Sequence, residues 1–179
     1  MSFYTCGYNW YNCHYKVDSA KDFCSGKNSL ASMVRKAEGG LEIDVWIDAS
    51  QFNRRKAATW HCGEHARILQ LLVEDERFPQ FLIEVKKVIL EALDAAEESN
   101  INVMVCCPKG KHRSLAADRC FIECMKADGF NVPEPVHLSK SKWQIGLCDF
   151  CKKCETRAHY WHPAKQEAIE YAVALWKSY

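Results

Sequence analysis

The chain has 179 residues, 48% of them hydrophobic, and a formal net charge of +1, enough to bury one good core and too balanced for a strongly charged protein. No apolar run long enough for a membrane span and no basic-then-apolar leader is visible, so neither a membrane partner nor export is expected. Eleven cysteines in a chain without an export signal point to a reducing, cytoplasmic setting, where cysteines act as metal ligands, reactive thiols or small core residues rather than disulfides.

Residues 1–27 carry Phe3, Tyr4, Tyr8, Trp10, Tyr11 and Tyr15 without clean periodicity and are read as an irregular, aromatic-rich segment. Ser29 to Lys36 reads as a short helix stopped by Gly39-Gly40. Leu41 to Ile47 alternates apolar and polar residues and predicts a strand. A polar, basic loop covers Asn53 to Thr59, and Glu64 to Asp75 reads as a helix. Pro79 suits the first turn of the next helix. That helix shows the strongest periodicity in the chain, with Phe78, Phe81, Leu82, Val85, Ile89 and Leu93 recurring at three- and four-residue steps.

Ile101 to Cys107 predicts a buried strand, and Ser114 to Lys126 a helix ended by Gly129. Val132 to Leu138 reads as a short strand that Pro133 and Pro135 push to an edge. A cysteine-rich excursion follows, and Pro163 is expected to open a last helix through Trp176. This alternation predicts an α/β fold, a mainly parallel sheet flanked by helices. The α/β domain spans residues 28–145, a Cys/His-rich, zinc-knuckle-like insertion 146–162, and a C-terminal helix 163–179 packs on the domain.

The candidate site is the loop from Cys107 to Ser114. A strand runs into Cys107-Pro108-Lys109-Gly110-Lys111-His112-Arg113-Ser114 and the loop runs into a helix. A helix start exposes unpaired N–H groups and partial positive charge, and here two lysines, a histidine, an arginine and a serine surround it. Phosphate is the anion that matches this cradle, with Arg113 able to grip two oxygens at once. Charge supports the reading. From Glu64 to Glu98 nine acidic residues face four basic ones, whereas from Lys109 to Lys165 eleven basic residues face six acidic ones. That basic half would attract an acidic ligand or RNA.

Cys107, five residues, Arg113 and Ser114 also satisfy the spacing of cysteine phosphatases, in which a thiolate attacks phosphorus. Pro108 departs from that plan because it has no N–H to donate. Asp44 and Asp48, on or just after the neighbouring strand, are the candidates for the general acid such a reaction needs.

From about residue 40 to 143 the sequence resembles the C-terminal domain of the RNase adapter protein RapZ. That family has a strand bearing Asp-x-Arg, a long helical interval, and a loop reading Gly-Cys-Thr-Gly-Gly-Lys (or Gln)-His-Arg-Ser. Here Asp44 matches the strand motif, Cys107 follows it by 63 positions, and Gly110 to Ser114 match the loop without a gap. Trp46 replaces the family's arginine, and Pro108-Lys109 replaces Thr-Gly. The resemblance implies a regulatory domain that senses a phosphorylated amino sugar and contacts RNA or protein partners. It also implies that Cys107, Gly110, His112, Arg113 and Ser114 line the ligand site.

Cys148, Cys151 and Cys154 stand three residues apart and are followed by His159 and His162. Zinc takes four such ligands in a tetrahedron, so this segment is read as a structural zinc knuckle. Cys6, Cys13, His14 and Cys24 are further sources of a ligand. Lys152, Lys153 and Arg157 would give the knuckle a basic surface able to touch RNA. His61 and His65, one turn apart, read as surface histidines, and Cys120 and Cys124 as core residues.

Three functional readings follow. The first is a phosphate-recognising regulatory domain binding a sugar phosphate through Cys107, Lys109, Gly110, Lys111, His112, Arg113 and Ser114. The second is a phosphatase with Cys107 as nucleophile and Arg113 as clamp. The third is an RNA- or protein-binding module that needs no small ligand.

Overall fold

A computed structural model describes residues 1–11, 29–52, 62–96, 100–143 and 158–179, with the side chains of the last stretch described from Pro163 onward. Among the described residues four strands form one sheet: β1 (Ser2–Gly7), β2 (Val45–Asp48), β3 (Asn102–Cys107) and β4 (Val136–His137). The order across the sheet is β2-β3-β1-β4, and every pairing is parallel. The α-helices among the described residues are α1 (Leu30–Ala37), α2 (Ala66–Val73), α3 (Phe78–Ala95), α4 (Arg113–Ala127) and α5 (Ala158–Lys177).

The parallel α/β architecture is as the sequence predicts, but the N-terminus is not irregular over its first residues. Ser2–Gly7 is the strand between β3 and β4. Its side chains alternate between two buried layers. Phe3 faces the large core, and Cys6 faces the small one. A strand covered on both faces loses the apolar–polar alternation by which strands are recognised.

The two layers are unequal. On one face, α1 packs Leu30 and Val34 against Cys6, Met104 and Cys106. On the other, helices α2 to α5 cover Phe3, Val45, Ile47, Val103 and Val105. Phe78, Phe121, Leu82 and Ile89 are among the fully buried side chains there, each worth about 1.5–3 kcal/mol of burial. Ala168, Ala172 and Trp176 carry α5 into the same core, and the Trp176 indole N–H donates to Asp128 Oδ2 at 2.6 Å.

Local signals set most helix boundaries. The Ser29 hydroxyl accepts the Ser32 N–H and starts α1. Pro79 sits in the first turn of α3, and Gly129, with φ +89°, follows the end of α4. Three boundaries differ from expectation, the first being the strand predicted over Val132 to Leu138, which is a strand only over Val136–His137. The predicted strand from Leu41 takes strand conformation only over Val45–Asp48. Helix α5 begins at Ala158, so Pro163 lies inside it rather than opening it; a proline there removes one hydrogen bond without ending the helix.

The chain leaves β1 toward α1 on one face, and leaves β3 toward α4 on the other. Where adjacent parallel strands part in this way, a crevice opens at their carboxyl ends, the usual ligand position in α/β sheets. Gly7 and Cys107, register partners at the ends of β1 and β3, stand at that point. Among the described residues no helix is long and apolar enough to cross a membrane.

Candidate functional site

The loop after β3 is held from outside by its carbonyls. The Asn9 N–H donates to Pro108 O at 3.1 Å, and the Trp10 indole N–H to Lys109 O at 2.9 Å. On the opposite flank the Gly63 N–H donates to Lys111 O at 2.8 Å, and within the first turn of α4 the Ala116 N–H donates to His112 O at 2.9 Å. In a planar trans peptide the C=O and the following N–H point in opposite directions. Pinning these four carbonyls therefore turns the N–H groups of Lys109, Gly110, His112 and Arg113 away from the flanks, toward the interior of the loop. Among the described residues the N–H groups of Lys109, Gly110 and Arg113 meet no acceptor.

Two glycines outside the loop permit this clamp. A Cβ on Gly7 would lie 2.4 Å from the Lys109 carbonyl carbon, and one on Gly63 would lie 2.1 Å from His112 O. Gly110, at φ +60°, is equally confined, since its Cβ would fall 2.3 Å from Gly7 N. The loop thus has backbone pressed against it on two sides. Sequence reasoning singled out Gly110 but missed Gly7 and Gly63, because their partners are distant in the chain.

Arg113 begins α4 and reaches to the end of β2. Its Nη1 donates to Ser50 O and, at 3.1 Å, to Phe52 O. These carbonyls occupy one edge of the guanidinium. Nε and Nη2 have no hydrogen bond among the described residues, which leaves the other edge able to grip two oxygens of an anion.

Cys107 is buried, and its Sγ lies 3.3 Å from Ser114 Oγ, itself fully buried in the first turn of α4. Cys106, its neighbour, points to the opposite layer and donates to Ile47 O at 3.3 Å. The two thiols therefore have separate environments, and only Cys107 faces the loop. Lys109 is exposed, Lys111 and His112 are half-buried, and His112 occupies the cap position of α4 without a side-chain cap bond.

The structure separates the two aspartates proposed as acids. Asp44 precedes β2, where its Oδ2 accepts the Asn102 N–H at 2.7 Å. Asn102 begins β3 and Cys107 ends it, about 17 Å apart at strand rise. Asp44 therefore lies at the wrong end of the sheet to serve the loop, which corrects its assignment as general acid. Asp48, paired in register with Cys106, ends β2 on the loop side. Its carboxylate accepts the Ser50 N–H at 2.8 Å and the Ser50 hydroxyl at 2.7 Å.

Tyr8 joins this group from the end of β1. It is buried beside Asp48, Ser50, Arg113 and Cys107, with a hydrogen bond to Ser50, and burial above all pushes its hydroxyl above the usual range. Ser139 closes the other side, its hydroxyl accepting the Gly7 N–H at 2.8 Å. Tyr8, Ser50 and Ser139 carry no motif that would have singled them out in the sequence.

The proposed zinc ligands Cys148, Cys151 and Cys154 lie outside the described residues, and the side chains of His159 and His162 are likewise not described. Among the described residues no group of three or more His, Cys, Asp or Glu side chains is placed to hold a metal. His61 is outside the described residues. His65 is not a surface histidine: it is buried, and its Nδ1 accepts the Arg67 N–H at 3.1 Å as the cap of α2. Cys120 and Cys124 are fully buried core residues, and burial pushes the Cys120 thiol up to about 12. No protein-family model, curated protein or solved structure matches the chain.

Proposed function

We propose that the protein is a phosphate-recognising ligand-binding domain that holds the phosphoryl group of a small molecule in the loop from Cys107 to Ser114. The observation that carries this reading is the fixation of the loop carbonyls from both flanks, which aims backbone donors inward at the start of a 15-residue helix. The open edge of Arg113 adds a bidentate grip. The resemblance to the RapZ C-terminal domain makes a sugar phosphate the first ligand to try and a regulatory, cytoplasmic role the natural context, with RNA or protein as further partners. Zinc in the 146–162 segment belongs to the same proposal as a structural ion.

The test is phosphorus NMR of glucosamine 6-phosphate with the purified protein. A shift or broadening of the ester line that is lost in Arg113→Ala, without release of inorganic phosphate, supports the binding domain. An unchanged line, together with no response to other phosphate monoesters, overturns it.

One observation favours a second reading, a cysteine-dependent phosphatase. The Ser114 hydroxyl 3.3 Å from Cys107 Sγ would stabilise a thiolate, and Asp48 stands at the same end of the sheet. In that reaction the thiolate attacks phosphorus, the ester oxygen leaves with a proton from Asp48, and water then releases phosphate from the cysteine. Growth of an inorganic phosphate line that vanishes in Cys107→Ser would establish it.

A further inference from the structure

Trp10 is an aromatic residue bonded directly to the 107–114 loop. Its indole N–H is tied to Lys109 O at 2.9 Å, and its Cδ1 sits 2.6 Å from where a Cβ on Gly7 would be. Both constraints fix the ring against the loop, yet 44% of its surface stays open. A tryptophan anchored at one edge and exposed elsewhere does not serve the core. It offers a rigid π surface on the outer rim of the loop, across the Lys109–Gly110 peptide from the inward-facing donors.

The charges around it are equally uncommitted. Lys109 and Lys111 flank Gly110, and Lys140 and Lys142 follow Ser139, whose hydroxyl is bonded to Gly7. Among the described residues none of these four lysines pairs with a carboxylate. A cationic rim of this kind draws in an anion.

A pinned aromatic plane beside a phosphate cradle matches a ligand with a planar ring and a phosphate joined by a short polar link. We infer that the ligand is a nucleotide, a sugar phosphate whose sugar carries a base, with the phosphate in the 107–114 loop and the base stacked on Trp10. This inference rests on the phosphate reading of the loop and adds its selectivity. Base stacking on an aromatic side chain strengthens binding by roughly 5- to 150-fold.

The experiment compares AMP with ribose 5-phosphate, which has the same sugar and phosphate without the base, by calorimetry on the full chain. AMP is expected to bind at least about fivefold tighter, and the ratio is expected to fall toward one in Trp10→Ala and to survive in Trp10→Phe. Taking the ratio cancels any effect of the substitution on the shared phosphate grip. In protein labelled with 5-fluorotryptophan, the Trp10 fluorine line, assigned by its absence in Trp10→Phe, is expected to shift with AMP more than with ribose 5-phosphate.

Equal affinities in the wild type, or an AMP preference that persists in Trp10→Ala, overturn the inference while leaving phosphate binding intact. Phenyl phosphate binding as tightly as AMP overturns it in favour of a simple aryl phosphate. Binding of neither AMP nor ribose 5-phosphate, with no effect of Arg113→Ala, defeats the phosphate reading itself.

Discussion

Gly7 and Gly110 meet backbone to backbone, and neither has room for a side chain: a Cβ on Gly110 would lie 2.3 Å from Gly7 N, and one on Gly7 would lie 2.7 Å from Gly110 N. This contact joins the end of β1 to the 107–114 loop. It is why the N-terminal strand belongs to the candidate site as well as to the sheet.

Gly7→Ala and Gly110→Ala are therefore expected to destabilise the fold by about 1–3 kcal/mol or more, since the facing atoms are backbone that cannot step aside. Gly110 adds the cost of φ +60°. Gly39→Ala is the control, with φ +64° but open space around it, and its cost should be limited to about 1–2 kcal/mol of backbone strain. Urea denaturation of the three variants checks the order. A Gly7→Ala protein as stable as wild type would contradict the close approach.

Arg113→Lys should not behave as a conservative change. A lysine cannot donate to Ser50 O and Phe52 O while offering a second edge to an anion. Loss of the charged hydrogen bonds is expected to weaken phosphate-ester binding by about 10- to 100-fold, close to the effect of Arg113→Ala. Titration by phosphorus NMR measures it, and a lysine variant within twofold of wild type would remove the two-edged role.

Cys107 and Ser114 separate binding from catalysis. Ser114→Ala removes the hydroxyl 3.3 Å from Cys107 Sγ and is expected to cost about 1 kcal/mol of stability. For a binding domain, Cys107→Ser keeps phosphate affinity within severalfold, and neither protein releases phosphate. For a phosphatase, Cys107→Ser ends turnover and Ser114→Ala slows it. Single-turnover assays with a chromogenic phosphate ester distinguish the two.

His137 makes stability depend on mildly acid pH. Burial first, then Lys140, lowers its pKa to about 4, and its Nδ1 is 2.9 Å from Thr5 Oγ1. The unfolded chain takes up a proton near pH 6.5, whereas the folded chain does not until about pH 4. Between these values the unfolded state binds more protons, so stability should fall as pH drops. Denaturant midpoints of wild type and His137→Gln from pH 7 to pH 4 should show the wild type losing more. Parallel curves would exclude His137 as the source.

How much of this was legible in the sequence differed from element to element. Helix α3 declared itself through apolar residues from Phe78 to Leu93, because one periodic face must pack on the sheet. The candidate loop from Cys107 to Ser114 was equally visible, since strand, glycine, basic residues and helix are contiguous and their chemistry is local. β1 was not visible: its residues are buried on both faces, so their pattern has no period to read. Asp44 and Asp48 looked interchangeable because four residues of spacing do not say which end of a parallel strand faces the loop.

The sequence by itself determined an α/β fold with a parallel sheet and placed a basic, glycine-containing turn at the start of α4. Those properties depend on side-chain periodicity and on neighbours within a few residues. Only the tertiary structure decided that Gly7 and Gly63 press on the loop from two sides, that Ser50 and Phe52 hold one edge of Arg113, and that Trp10 is tied to the outer side of the loop at Lys109. Each of these contacts joins segments about 50 to 100 positions apart, and their geometry comes from the strand order β2-β3-β1-β4. Such an order is set by how the layers pack, which no local pattern encodes.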